Sequence, residues 1–257
     1  MHPICNYFVS RLRLVSISTI RNPPMPIVVV TGASQGIGQA VAEAFAQEPE
    51  ARLALVSRSQ DKLDAVVARC EAHGAEAAAF PCDVTDDAAV HRTAAAILAR
   101  WGAPDVLVNN AGLFQPGAVR ETTADVFRQQ VAVNLTSAFV VTQAFLEAMI
   151  AQGRGHLFYM GSVASIRAYE GGAAYCAAKH GILGLARVVR EETKTLGLRV
   201  TALLPGATLT PSWDGVDLPE ERFMPPEDIA RTLVDIYHLS DRTVVEEILL
   251  RPQLGDI

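Results

Sequence analysis

The chain has 257 residues, half of them hydrophobic and 19% charged, with a net charge of −6. That length and apolar content can bury a sizeable core without disulfides, and the acidic balance argues against a phosphate-backbone binder, which needs a basic face. Cys5, Cys70, Cys82 and Cys176 show no CxxC or metal-ligand spacing, so reduced structural thiols in a cytoplasmic protein are expected, and no metal site.

The first 24 residues stand apart. They carry Arg11, Arg13 and Arg21 and no acid; the first acidic residue is Glu43. This composition is transit-peptide-like. An over-long start is the simpler reading, because "MPIVVVTGA" from Met25 opens a strand almost at once. Either way, residues 1–24 are expected to be an extension and residues 25–257 a single domain. No apolar run is expected to approach the roughly 18 residues of a membrane span.

Short apolar runs then alternate with helical patterns. The strand candidates are "IVVV" (27–30), "RLALV" (52–56), "AEAAAF" (75–80), "DVLV" (105–108), "HLFYM" (156–160), "LRVTALL" (198–204) and "VEEILL" (245–250). Between them apolar residues recur three and four apart, as at Val41 and Phe45 or Leu63, Val66 and Val67. Runs buried on both faces and separated by helices predict an α/β fold. The expected architecture is one doubly wound, Rossmann-type domain, with a seven-stranded parallel sheet flanked by helices on both faces.

The first strand runs into "TGASQGIG" (31–38) and then into a helical pattern. Gly32, Gly36 and Gly38 allow a sharp turn and a close backbone approach to a pyrophosphate at a helix N-terminus, with Ser34, Gln35 and Ile37 between them. A tight structural turn would use the same glycines, but the strand before and the helix after favour dinucleotide binding. At the end of the second strand an acid would hold an unphosphorylated ribose. Here "LVSRS" has Ser57 in that place and Arg58 beside it, which favours NADP(H) over NAD(H). Gln35 supplies no second positive charge.

Further motifs follow in order: "CDVTD" (82–86), "NNAG" (109–112), "VNLTS" with Asn134, "GSVAS" with Ser162, "YCAAK" with Tyr175 and Lys179, and "PG" (205–206) before Thr208 and Thr210. In this order, from residue 25 to the end, the chain resembles the short-chain dehydrogenase/reductase family. The resemblance implies adenine contacts at Asp83 and Val84. It implies further cofactor contacts at Asn110, Ala111, Gly112, Tyr175, Lys179, Pro205, Gly206, Thr208 and Thr210. The catalytic set that it implies is Asn134, Ser162, Tyr175 and Lys179.

The residue types suit that chemistry. Residues four apart share a helix face, so Tyr175 and Lys179 point the same way. A free tyrosine titrates near pH ~10, and an adjacent ammonium is expected to lower that value. The chain has only three lysines among its 22 lysines and arginines, yet keeps one here, where arginine's flat fork would serve ribose hydroxyls poorly. Ser162 lies at the family's separation from Tyr175, with Ser165 as its rival. Asn134, a poor helix former, holds a relay water in the family. His180 reads as an ordinary, partly exposed helix position.

The segment 206–224, "GATLTPSWDGVDLPEERFM", is short for a lid and carries Trp213, which suits a small or planar carbonyl compound. The C-terminal segments are loosely similar to bacterial sepiapterin-reductase-like members, which implies that Asp256 holds a pterin's amino groups. The expected function is NADP(H)-dependent reduction of a small ketone or aldehyde, with pterins and dicarbonyls as candidates. A 3-oxoacyl thioester reductase and a non-catalytic NADPH-sensing protein are the alternatives. Apolar residues on more than one side of the helical stretch 122–150 and of the Tyr175 helix must be covered on each face, and the family resemblance implies that a homodimer or homotetramer covers them.

Overall fold

Seven strands form one parallel sheet in the computed structural model, which describes residues 25–257. They are β1 (Ile27–Thr31), β2 (Arg52–Ser57), β3 (Glu76–Pro81), β4 (Val106–Asn109), β5 (Gly155–Met160), β6 (Leu198–Pro205) and β7 (Glu247–Leu250). The helices are α1 (Gly36–Phe45), α2 (Gln60–Ala72), α3 (Asp87–Trp101), α4 (Ala124–Val131), α5 (Ser137–Gln152), α6 (Ala173–Thr193) and α7 (Pro226–Tyr237). The expectations on residues 1–24 and on Cys5 lie outside the described residues.

The period-two geometry of the strands divides the core in two. Val28 and Val30 of β1, with Leu53 and Leu55 of β2, pack against α1, α2 and α7 through Phe45, Leu63, Ile229 and Leu233. Val29, Ala54, Val56 and Leu107 face the other way, against α3, α5 and α6 through Ile97, Phe145, Ile182 and Val189. The doubly wound sheet is therefore as expected.

The order β3-β2-β1-β4-β5-β6-β7 makes β1 and β4 neighbours although two strands separate them in sequence. Chain leaving β1 turns one way and chain leaving β4 the other, so a crevice opens beyond their C-terminal ends. Local signals then fix individual elements. The Asp86 carboxylate accepts from Ala89 N at 3.0 Å and starts α3. Two exposed acids at the entry to the last strand are tied to α6, Glu246 to Arg190 and Glu247 to Arg187, each at 2.7 Å.

The span Ala124–Gln152 is one continuous 29-residue helix, long and apolar enough by length and composition to cross a membrane. Counting uninterrupted apolar runs missed it, because Asp125, Arg128 and Gln129 interrupt the pattern. Val141, Phe145 and Met149 bury one side of it against the sheet. Residues Ala132–Thr136 within it form a π-helical turn.

His156 is wholly buried in β5, stacked at 3.9 Å on Phe158. The Thr201 hydroxyl donates to Val245 O at 2.6 Å, so it accepts from His156 Nε2–H at 2.7 Å. That leaves Nδ1 as an unprotonated acceptor without a partner. Burial holds the imidazole pKa well below its usual value. The folded protein therefore binds this proton less readily than the unfolded chain, and stability present above pH ~6.5 is lost as pH falls, by up to about 1.4 kcal/mol per pH unit from this group. Unfolding in urea at pH 7.5 and 5.0 should show that loss in the wild type. A His156→Phe variant with an undiminished slope would contradict the assignment.

Candidate active site

The phosphate turn is built by close approach. Gly32 has φ +67, and a Cβ there would meet Ala111 Cα at 2.9 Å. Gly38 is tighter: its Cβ would stand 2.3 Å from Gly32 O and 2.4 Å from Asn110 Nδ2. Only glycine lets α1 begin so close to the strand that feeds it. Asn110 completes the turn from the β4 side. Its Nδ2 donates to Thr31 O at 2.9 Å, and the backbone N–H groups of Asn110 and Ala111 donate to Thr31 Oγ1 at 3.0 and 3.1 Å. The Asn110 side chain is thus spent on clamping the two sides of the crevice together.

Across the turn, a Cβ on Gly36 would stand 3.1 Å from Thr210 Cγ2, so the segment after β6 lies over the cradle. Thr208 is buried and donates back to Gly206 O at 3.1 Å. Ile37 packs on the core from the turn, and Ser34 sits part-exposed within it. Pro205 ends β6.

Beyond β2, the Ser57 hydroxyl is buried and has no hydrogen-bond partner. A buried hydroxyl without a partner is costly unless something supplies one, and a ribose or its phosphate would. The Asp83 carboxylate is held in a local turn by Thr85 N and Oγ1 at 2.9 and 2.7 Å, which lowers its pKa, with Arg58 adding a smaller pull. Val84 is buried in the core beneath it. The glycine cradle, the partnerless Ser57 and the charge of Arg58 fit a dinucleotide.

On the other side of the crevice, Ser162 follows β5. Its Oγ accepts from Ala164 N at 3.1 Å, and Ser165 Oγ accepts from Ser162 N at 3.1 Å. Ser165, the rival to Ser162, is buried as the partner in a reciprocal cap. The Ser162 hydroxyl is close enough to Tyr175 to act on the phenol. Tyr175 is half-buried. Burial pushes its pKa up to about 12, against a smaller downward pull from the Ser162 hydroxyl.

Lys179 is buried and donates to Met160 O at 2.7 Å, with Nζ 5.6 Å from the Tyr175 ring centre. Burial brings its ammonium down to about 8. The lowering of the tyrosine expected from the lysine is not what the structure gives: burial dominates at both groups and moves each toward its neutral form.

Asn134 sits in the π-helical turn. Its Nδ2 donates to Leu113 O at 2.8 Å and to Gln130 O at 3.0 Å, while Leu113 N donates to Oδ1 at 3.1 Å. The widened turn lets a helical side chain grip the loop after β4 at two points. A Cβ on Gly112 would lie 3.0 Å from Asn134 Oδ1 and 3.8 Å from Lys179 Nζ, so both groups border this glycine.

Trp213 lies 6.5 Å from Phe114, which meets Tyr175 edge-on at 5.0 Å, and 5.2 Å from Phe223. An aromatic wall thus stands beside the phenol. Asp256 lies among arginines. Its carboxylate is taken by Arg251 in a two-point pair at 2.8 and 2.6 Å, with Arg167 at 3.7 Å, so it is not a free acceptor.

The profile of the short chain dehydrogenase family matches residues 26–220. The chain belongs to this family. Among its short-chain dehydrogenase relatives, a sepiapterin reductase of Chlorobaculum tepidum is 39% identical over 238 residues, covering 90% of this chain and 98% of that one. An alcohol dehydrogenase of Thermococcus sibiricus, solved with 5-hydroxy-NADP, superposes with a TM-score of 0.85 at 30% identity, over 91% of this chain and 99% of that one. A metagenomic short-chain oxidoreductase solved with NADP gives 0.80 at 34% identity, covering 91% and all of its own length. Sequence reading of this short-chain dehydrogenase missed Phe114, the Met160 carbonyl and Lys62, whose Nζ donates to Gln35 Oε1 at 2.8 Å. Only the apolar residue two beyond "NNAG" could have pointed to the first.

Proposed function

We propose that the protein is a cytoplasmic, NADP(H)-dependent oxidoreductase that reduces a small, planar ketone or aldehyde to the alcohol. The observation that carries this reading is the meeting of the Ser162 hydroxyl, the Tyr175 phenol and the buried Lys179 ammonium in one crevice beside the glycine cradle. Gly32, Gly36, Gly38, Ser57 and Arg58 would hold the dinucleotide, whose nicotinamide supplies the hydride when bound. The NADP-bound relatives support the phosphorylated cofactor.

The chain's own residues then handle the proton. Ser162, whose oxygen is anchored by Ala164 N, would donate its O–H to the carbonyl oxygen and so stabilise the charge that grows there. Tyr175 keeps its proton throughout the neutral range and delivers it to that oxygen. Lys179 is held by Met160 O with its remaining N–H bonds directed into the crevice. Asn134, across Gly112 from Lys179, anchors a water that returns the proton from solvent. Phe114 and Trp213 offer faces for a flat substrate. Similarity to the Chlorobaculum tepidum enzyme makes a pterin with a side-chain carbonyl the first compound to try. Asp256 could anchor its amino groups only by sharing the carboxylate with Arg251. The exposed Phe127, Phe139 and Val188 give the proposed homodimer or homotetramer an apolar face to bury.

Cofactor oxidation measured on a panel of pterins, 1,2-diketones, simple aldehydes and 3-oxoacyl thioesters, with NADPH and NADH in parallel, tests this reading. Turnover of flat carbonyl compounds with NADPH is expected. Turnover of thioesters alone, or of none, counts against it. Lys179 predicts the pH profile: its charge is present below about 8 and lost above, so kcat/KM for reduction should hold level from pH 6 and fall beyond that point. A profile flat to pH 10 would mean that the ammonium form is not required.

A further inference from the structure

The start of α2 faces the phosphate turn and is unusually rich in unspent polarity. Ser59, its N-cap residue, makes no capping hydrogen bond. Two residues earlier, the Ser57 hydroxyl is nine-tenths buried and without a partner. Arg58 lies between them and forms no ion pair among the described residues; its field reaches Asp83, whose carboxylate is already occupied by Thr85.

Lys62 lies one turn further along. The chain has three lysines. Lys179 serves the crevice and Lys194 pairs with Glu191. Lys62 makes no ion pair among the described residues. Its ammonium instead donates to the side-chain oxygen of Gln35, 27 positions away and one residue before Gly36. An amide oxygen fixes the direction of a lysine without cancelling its charge. No carboxylate lies at the neighbouring positions of the helix face, since residues 58, 59, 65 and 66 are Arg, Ser, Ala and Val.

We propose that Lys62, oriented by Gln35, is a second cation beside Arg58 for the 2′-phosphate that distinguishes NADPH from NADH. The proposal rests on the cofactor reading above and adds a residue to it. Glycine turn and α2 would then each contribute: Gln35 carries no charge but positions one, and Ser57 donates or accepts at the same phosphate. Arg58 offers a planar fork and Lys62 a compact point charge. Lys62 is exposed, so water and salt screen it and its contribution is moderate and ionic-strength dependent.

Direct binding to the full chain, without turnover, provides the test. NADPH, NADH, adenosine 2′,5′-bisphosphate and ADP would be titrated calorimetrically at low and high salt. Lys62→Gln should weaken NADPH and the bisphosphate about three- to tenfold, with a flatter salt dependence, and leave NADH and ADP unchanged. Adding Gln35→Lys to that variant should restore the loss by placing a cation where the ammonium stood. A Lys62→Gln protein within about twofold of wild type for NADPH, or equally weakened for NADH, overturns the proposal and leaves the cofactor reading standing. A wild type that binds neither dinucleotide removes both.

Discussion

Tyr175→Phe should lower kcat by about a thousandfold while the dissociation constant for NADPH stays within about twofold of wild type. The substitution removes one hydroxyl and keeps the ring, so the edge-on contact with Phe114 at 5.0 Å survives. Ser162 keeps its bond from Ala164 N at 3.1 Å and is not left buried without a partner. Lys179 stays on Met160 O. What is lost is the proposed proton donor, and water in its place lacks both orientation and a matched environment. Single-turnover reduction and equilibrium titration separate the two quantities. A Phe variant that reduces carbonyl compounds near the wild-type rate would remove Tyr175 from the proposed chemistry.

Gly38→Ala should all but abolish dinucleotide binding and destabilise the fold by about 1–3 kcal/mol. The added methyl would sit 2.3 Å from Gly32 O and 2.4 Å from Asn110 Nδ2. Neither neighbour is a flexible chain end. Gly32 O is backbone, and Asn110 is fixed by its bonds to Thr31 O and Gly32 O at 2.9 and 3.3 Å. Relief therefore requires α1 to back away from β1, which spreads the cradle. Gly184→Ala is the control, because nothing lies within 4 Å of its Cβ on α6. That change should be neutral or stabilising by up to about 1 kcal/mol. Urea unfolding with NADPH titration reads both effects, and a Gly38→Ala protein that binds NADPH like wild type would contradict the packing argument.

The sheet was legible because its strands are buried on both faces and read as bare apolar runs, "IVVV" and "RLALV" among them. The boundary of β3 slipped by one residue, since "AEAAAF" carries no alternation to set it. Its true start, Glu76, is fixed instead by distant partners, Trp101 at 2.9 Å and Arg100 at 3.1 Å. Of the candidate site, the glycines, Ser162, Tyr175 and Lys179 could be placed because each motif directly follows a strand or rides one helix face.

What stayed hidden depends on contacts between segments far apart in sequence. Lys62 reaches Gln35, and Phe114 meets Tyr175, only after the sheet has folded. The π-helical turn at Asn134 has no local sequence signature; within it the amide grips Leu113, far away in sequence. The rise of the Tyr175 pKa is likewise a property of burial, which no spacing reveals. Asp256 is the exception. Arg251 stands five residues before it across a turn at Gly255, φ +89, and that local pair was open to sequence reading.

The fate of one labelled hydrogen tests the central claim most directly. With NADPH deuterated at both positions of nicotinamide C4 and a flat carbonyl substrate, in ordinary water, mass spectrometry of the product alcohol locates the transferred atom. The account predicts one deuterium on the carbinol carbon from the wild type, and none from Tyr175→Phe over the same interval. Unlabelled alcohol from the wild type, or no alcohol while NADPH binds tightly, would contradict it.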